Sequence, residues 1–148
     1  MSFASEEAGA ISEGFGDYWA VTVADVVGTA LGVSNFEPLP CVADWDSTSY
    51  TSTVPHCLRR VDRDLHYPKD LNGEVHHDGQ IWSRALWDIR GQLGHVKADK
   101  IILQGSFDFL GTTMSDLATR TVDAAHDLYG SSAANTVKQA FVDRGILS

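Results

Sequence analysis

The stretch HHDGQIWSRALWDIRGQL, His76–Leu93, indicates the fold class of this 148-residue chain. Its apolar side chains recur at intervals of four, at Ile81, Ala85, Ile89 and Leu93. This spacing places them on one face of an α-helix. Gly94 follows directly, and a glycine at this point is typical of a helix C-cap. The stretch therefore predicts a helix with a broad buried face that ends at Gly94.

A second long helix is predicted over Ser5–Leu31. Ser5 is a suitable N-cap, and Glu6 and Glu7 fall in the first turn, where the helix dipole favours negative charge. All four prolines of the chain lie within residues 33–73, which have no sustained hydrophobic period. This segment predicts a long irregular loop between the first two helices, in which short strands can form.

Three further features lie in the C-terminal part of the chain. The apolar run Ile101–Leu103 predicts one or two helical turns. Thr113 and Asp116 form a capping box ahead of another helix, which Gly130 ends. A last helix is expected over Ser132–Arg144. Residues 1–148 are therefore predicted to form a single, mainly α-helical domain.

Composition excludes two classes of partner. The formal net charge is -9 and the pI is about 4.9, whereas nucleic-acid affinity depends on clustered Lys and Arg. The apolar stretch Trp19–Leu31 is interrupted by polar residues and glycine, so it is not expected to span a bilayer. The N-terminal residues have neither the basic region nor the apolar region of a signal peptide. We expect neither a nucleic-acid partner nor a membrane partner.

Cys41 and Cys57 bracket a segment rich in Ser and Thr. A disulfide between them would add roughly 3 kcal/mol on the chain-entropy model. Two free buried thiols are the alternative, and the spacing leaves both open. A disulfide would suggest an oxidising compartment.

Two acidic residues, Glu13 and Asp17, stand one turn apart on one face of the first predicted helix. Small residues share this face: Gly9, Gly16, Ala20 and Ala24. Burying two unpaired carboxylates there would cost several kcal/mol, on the order of the cost of any uncompensated buried charge. Because no Lys or Arg precedes Arg59, the compensating cation would be a metal ion, a histidine or a distant arginine. Otherwise this face is an acidic surface that meets water.

Two motifs give the chain a family resemblance. The string EEAGAISEGFGDY, Glu6–Tyr18, is similar to the segment that follows the HExxH helix of fungalysin-like metallopeptidases, in the thermolysin-like clan. The string GEVHHDGQIW, Gly73–Trp82, resembles the Glu-Val-His-x-x-Gly-x-x-Trp signature of the same family. The resemblance implies the helical C-terminal domain of a secreted, extracellular zinc endopeptidase that acts on proteins or peptides.

The resemblance also implies roles for individual residues. Glu13 matches the third zinc ligand, and Asp17 matches the carboxylate that orients one of the zinc-binding histidines. His76 matches the histidine that stabilises the oxyanion of the tetrahedral intermediate. Asp70, six residues earlier, is a candidate for orienting His76.

Arg59 and Arg60 are candidates for contacting substrate carbonyl groups. An exposed arginine pair is the alternative interpretation of these two residues.

The sequence contains no HExxH motif, so the two histidine ligands and the catalytic glutamate of the family are absent from this chain. In the family that helix lies just upstream of the segment that Glu13 matches, so a missing N-terminal metallopeptidase segment is the expected partner. We expect the isolated chain to bind zinc weakly or not at all and to hydrolyse no peptides. The alternative is a non-catalytic, truncated or degenerate helical module with a binding role. A serine hydrolase that uses His76 is disfavoured, because the sequence has no nucleophile-elbow motif.

Overall fold

The structure, a computed structural model, describes residues 3–33 and 38–148, with side chains from Glu6 onward. Within these ranges the chain forms six helices and two short strands: α1 (Phe3–Ala30), β1 (Cys41–Val42), α2 (Asp44–Ser47), β2 (Arg59–Arg60), α3 (Val75–Leu93), α4 (His95–Ser106), α5 (Met114–Tyr129) and α6 (Ser131–Asp143). The mainly α-helical prediction is confirmed. The prediction of Ser5 as N-cap is wrong, because α1 begins at Phe3 and Ser5 lies within the helix; the side chain of Ser5 lies outside the described residues.

Glycines end two of the predicted helices as expected. Gly94 follows α3 with φ 77° and Gly130 follows α5 with φ 79°, a region of backbone conformation that glycine reaches without steric cost. At the other end of α5, the Thr113 side chain accepts a hydrogen bond from the backbone N–H of Asp116. These caps set the boundaries of α3 and α5.

Helix α4 is longer than predicted, because it runs over twelve residues rather than one or two turns. It begins directly after Gly94, so one glycine both ends α3 and starts α4. The buried positions of α4 are Ala98, Ile101, Ile102 and Gly105. Ala98 and Gly105 are small and contribute little to the hydrophobic pattern, which explains why the sequence indicates only the central part of the helix.

Helices α1 and α3 cross with their backbones in contact at Gly14 and Gly79. A Cβ atom at Gly14 would lie 2.2 Å from the carbonyl oxygen of Gly79. A Cβ atom at Gly79 would lie 2.9 Å from the carbonyl oxygen of Ala10. No side chain fits between the helices there, and this close approach brings the acidic face of α1 to the N-terminus of α3.

The main core lies between α1 and the helices α3 to α6. At its centre the rings of Trp82 and Phe141 stack with centroids 5.2 Å apart. Tyr18 of α1 is fully buried and donates a hydrogen bond to Asp99 of α4 at 2.6 Å. Burial, followed by this hydrogen bond, raises the pKa of the Tyr18 hydroxyl well above its ordinary value. Tyr18 therefore joins α1 to α4 as a neutral donor.

The loop between α1 and α3 is anchored to α1 by the strand pair. Strand β1 pairs antiparallel with β2, so that Val42 lies opposite Arg59. Val42 and Val61 pack against Val21 of α1 in a small second core. Cys41 and Cys57 form a disulfide, which is one of the two possibilities that the sequence left open. These contacts hold Arg59 beside α1.

Candidate active site

The acidic pair of α1 does not simply face water. Asp17 is only 3% exposed, whereas the side chain of Glu13 is 36% exposed. Arg59 donates to both carboxylate oxygens of Asp17, from Nε at 2.6 Å and from Nη2 at 2.7 Å. A two-point contact of this kind is among the strongest hydrogen-bonded ion pairs in proteins. Of the alternatives that the sequence left open, a distant arginine is therefore one source of compensating charge.

Arg59 also reaches the second carboxylate, because its Nη2 lies 3.8 Å from Oε2 of Glu13. The hydrogen bond to Asp17 is the main cause that raises the pKa of the Arg59 guanidinium, and burial opposes it. One guanidinium therefore contacts both carboxylates of the acidic pair, with its stronger contact on the buried member.

His76 lies on the other side of Glu13. Its Nε2 is 3.3 Å from Oε2 of Glu13, and half of its side chain is exposed. The close crossing of α1 and α3 explains this proximity, because His76 lies in the first turn of α3. Glu13 and His76, to which the family resemblance gave separate roles, therefore have side chains in contact.

Glu74 holds the opposite ring nitrogen of His76. Its Oε1 lies 2.6 Å from Nδ1 of His76. The same carboxylate caps α3, accepting from the backbone N–H of His76 at 3.0 Å and of His77 at 2.8 Å. The backbone hydrogen bond from His76, followed by the ring contact, lowers the pKa of Glu74 to about 2. Sequence reasoning missed this residue; its position directly before Val75-His76 was the available signal.

Asp70, the predicted orienter of His76, lies elsewhere in this structure. Its Oδ2 accepts from the backbone N–H of His66 at 2.8 Å and lies 3.6 Å from Nδ1 of the His66 ring. The backbone N–H of Asp70 in turn bonds the carbonyl of His66 at 2.9 Å. Because this turn folds the carboxylate back onto His66, Asp70 does not reach His76, and Glu74 has the place that was expected for Asp70.

Arg60 is directed away from the acidic pair. Its Nε and Nη2 each lie 2.8 Å from a carboxylate oxygen of Asp62, and its Nη1 lies 3.8 Å from Sγ of Cys57. Successive side chains of a strand point to opposite faces, so Arg59 and Arg60 diverge. Of the two candidates for substrate contact, the structure brings only Arg59 to the site.

Asp78 fixes the loop that leads to His76. Its two carboxylate oxygens accept from the backbone N–H groups of Asn72 at 2.9 Å and Gly73 at 3.0 Å. Asp78 lies in the first turn of α3 and is bonded to the loop that precedes this helix. It thereby sets the position from which Glu74 and His76 extend.

The described residues do not by themselves fit a zinc ion. A catalytic zinc takes three protein ligands and leaves a further position for water. No group of three or more His, Cys, Asp or Glu side chains able to hold a metal occurs in the described part of the chain. Glu13 offers a carboxylate, but its Oε2 already contacts His76 and Arg59. The site therefore brings a carboxylate, a histidine and an arginine together without the ligand set of a metal.

Comparison with known families assigns the chain. The family model described as "Thermolysin metallopeptidase, alpha-helical domain" matches residues 40–146, which is more than half of the chain. The chain therefore belongs to the thermolysin metallopeptidase family, in its α-helical domain. A search of curated proteins gives no match.

The matched range divides the candidate site. It contains His76, Glu74 and Arg59, whereas Glu13 and Asp17 precede it. The contacts between the two groups come from the fold, through the Gly14–Gly79 crossing and the strand pair. Within the ranges that the structure describes, no helix has the length and apolarity to cross a membrane.

Proposed function

We propose that this chain is the C-terminal portion of a secreted zinc metalloendopeptidase of the fungalysin type and that it is inactive in isolation. The complete enzyme hydrolyses peptide bonds with zinc-activated water. In this proposal Glu13 is one zinc ligand and Asp17 orients a histidine ligand. The remaining ligands and the general base come from a metallopeptidase segment that carries HExxH.

The observation that carries the proposal is the 3.3 Å contact between Glu13 and His76. It places the residue proposed as metal ligand beside the residue proposed as oxyanion stabiliser, although they are far apart in sequence and on different helices. A histidine there, when both ring nitrogens carry a proton, can donate from Nε2 to the oxygen on which negative charge develops. The half-exposed state of His76 leaves room for a peptide to approach it.

Arg59 fits a supporting role in the same proposal. Its Nε and one Nη2 hydrogen are engaged by Asp17, and a guanidinium has further N–H groups that can reach a substrate carbonyl. Arg60 is bound to Asp62 and is the weaker candidate. Proteins or peptides are the proposed substrates, with no nucleic-acid or membrane partner. The Cys41–Cys57 disulfide supports an extracellular location, where disulfides persist.

The test compares the isolated chain with a fusion that carries an HExxH metallopeptidase segment upstream of Met1. The isolated chain is expected to show no cleavage of casein and no tight zinc binding by calorimetry. The fusion is expected to gain both. Glu13→Gln in the fusion should abolish zinc binding, whereas Glu6→Gln on the same helix should leave it unchanged.

Nanomolar zinc affinity or casein cleavage by the pure chain would contradict the proposed inactivity. Equal zinc binding by the Glu13→Gln and Glu6→Gln fusions would contradict the proposed role of Glu13. Neither outcome depends on knowing the natural substrate.

A second candidate function is a non-catalytic helical module with a binding role. The observation that favours it is the compensation of Glu13 and Asp17 by Arg59 and His76, because the acidic pair then needs no metal. A properly folded fusion that stays without zinc affinity and without peptidase activity would support this candidate over the enzyme.

A further inference from the structure

We propose that Glu74 is the positioning residue that fixes the imidazole ring of His76, through one carboxylate that serves both the helix cap and the ring. The importance of this contact for turnover rests on the proposed function. The contact itself is a property of the chain and can be tested without activity.

The first step of the argument is that the Glu74 carboxylate is itself held in place. Oε1 accepts from the backbone N–H of His76 and Oε2 accepts from the backbone N–H of His77. Both donors belong to the first turn of α3, whose N–H groups have no partner within the helix. A carboxylate tied by both oxygens offers the ring an acceptor of fixed position.

The second step concerns the two nitrogens of the ring. An ionised carboxylate only accepts hydrogen bonds, so the 2.6 Å contact requires that Nδ1 of His76 carries a proton, whether or not Nε2 carries one as well. With Nδ1 held by Glu74, Nε2 is directed to the opposite side, where it lies 3.3 Å from Glu13. Glu74 therefore fixes both the orientation of the ring and the nitrogen that faces α1.

The third step is that the neighbouring acids have other partners. Asp70 bonds His66, and Asp78 bonds the backbone of Asn72 and Gly73. The ring of His77 lies 3.2 Å from the carbonyl oxygen of Asp70 rather than near a carboxylate. Among the described residues around the start of α3, Glu74 is thus the acid that reaches Nδ1 of His76.

The test separates the cap from the ring contact with two variants. Glu74→Asp keeps the charge and a side chain that caps helices well, and Glu74→Ser keeps a capping oxygen without the charge. Both side chains are too short to cap α3 and reach the ring together. Asp70→Asn is the matched control, because it removes the other acid of this loop.

The measurement is one-bond proton–nitrogen correlation NMR of the isolated chain with ¹⁵N-labelled histidine, which reports the exchange of ring N–H protons with water, with the His76 signals assigned through His76→Gln. The wild-type chain and Asp70→Asn are expected to show a protected proton on Nδ1 of His76. In Glu74→Asp and Glu74→Ser its exchange should be about tenfold faster, as expected for the loss of one hydrogen bond to a charged group.

An unchanged Nδ1 proton in both Glu74 variants would overturn the proposal, and so would its loss in Asp70→Asn. In the HExxH fusion, Glu74→Ser and His76→Phe should both lower kcat with little change in KM. If His76→Phe leaves kcat unchanged while the NMR result holds, the catalytic role of His76 fails and the positioning by Glu74 stands.

Discussion

Arg59 donates two hydrogen bonds, of 2.6 Å and 2.7 Å, to Asp17, which lies 42 residues earlier in the sequence. Asp17 is almost fully buried, so this contact replaces the water that an exposed carboxylate would bind. A buried charge that loses its partner retains its desolvation cost without compensation. The pair therefore joins β2 to α1 more firmly than a surface ion pair would.

Arg59→Ala is expected to lower the free energy of unfolding by about 3–5 kcal/mol, the range for breaking a buried ion pair from one side. Arg59→Lys should recover only part of this loss, because an ammonium group lacks the planar fork that matches a carboxylate. Urea denaturation followed by circular dichroism measures both changes.

Arg60→Ala is the matched control for this prediction. Arg60 is the next residue of the same strand, and the side chains of Arg60 and its partner Asp62 are both partly exposed. Surface ion pairs contribute about 0–1 kcal/mol, so the loss should be small. If Arg59→Ala lowers the free energy of unfolding no more than Arg60→Ala does, the buried Arg59–Asp17 pair does not stabilise the fold more than a surface ion pair.

Glu74 should make stability depend on pH through the cap of α3. Its pKa falls from an ordinary value of 4.5 to about 2 in the folded chain. A carboxyl group with a lowered folded pKa stabilises the fold above its unfolded pKa, and this contribution is lost as the pH falls through the folded pKa. The contribution of Glu74 should therefore be complete above pH 4.5 and disappear towards pH 2.

The comparison variant is Glu74→Ser, whose hydroxyl group caps the helix without titrating. The difference in free energy of unfolding between the wild-type chain and this variant should become smaller as the pH falls from 4.5 to about 2. Urea denaturation at a series of pH values measures the difference. A difference that stays constant from neutral pH to pH 2 would show that the Glu74 carboxylate does not stabilise the folded chain.

Local signals in the sequence were sufficient for most helices and for their ends. The four-residue period of α3 and the glycines at 94 and 130 depend on backbone chemistry within a few residues. Helix α4 was underestimated, because its packing face includes Ala98 and Gly105, which carry little hydrophobic weight. The small residues flagged on α1 included Gly16, whereas the glycine in contact with α3 is Gly14.

The candidate site was predictable only in part. The spacing of Glu13 and Asp17 predicted either a compensating cation or an acidic surface that meets water, and the choice among metal, histidine, arginine and water depends on tertiary structure. Arg59 reaches them because β2 is pinned beside α1 by the second core, which no local pattern reveals. Asp70 was the orienter predicted from the family resemblance, and Glu74 was missed; glutamate is not among the preferred N-cap residues.

Removal of the Cys41–Cys57 disulfide is expected to destabilise the chain by about 3 kcal/mol on the chain-entropy model. The bond closes the loop that precedes Arg59. Without it, the two segments that form β1 and β2 have more conformational freedom in the unfolded chain, which disfavours folding. Thermal unfolding with and without reductant measures the effect. The double variant Cys41→Ala/Cys57→Ala should unfold at one temperature in both conditions, and a reductant-insensitive wild-type chain would contradict the prediction.

Because α1 and α3 are in close contact at Gly14 but not at Gly16, replacement of these two glycines of α1 by alanine should have opposite effects on stability. A Cβ atom at Gly14 would lie 2.2 Å from the carbonyl oxygen of Gly79, so the helices must move apart to accept it. Gly14→Ala should therefore destabilise the chain by about 1–3 kcal/mol or more, as overpacking does. Gly16 is exposed, and a Cβ atom there would have no neighbour within 4 Å.

Gly16→Ala is accordingly expected to stabilise the chain by roughly 0.5–1 kcal/mol, because alanine favours the helix over the unfolded chain. Urea denaturation of the two variants gives the sign of each change. The separation of the helices in Gly14→Ala should also weaken the contact of Glu13 with His76, whereas Gly16→Ala should preserve it. Histidine NMR signals of His76 that shift in neither variant would mean that the crossing does not control the geometry of the site.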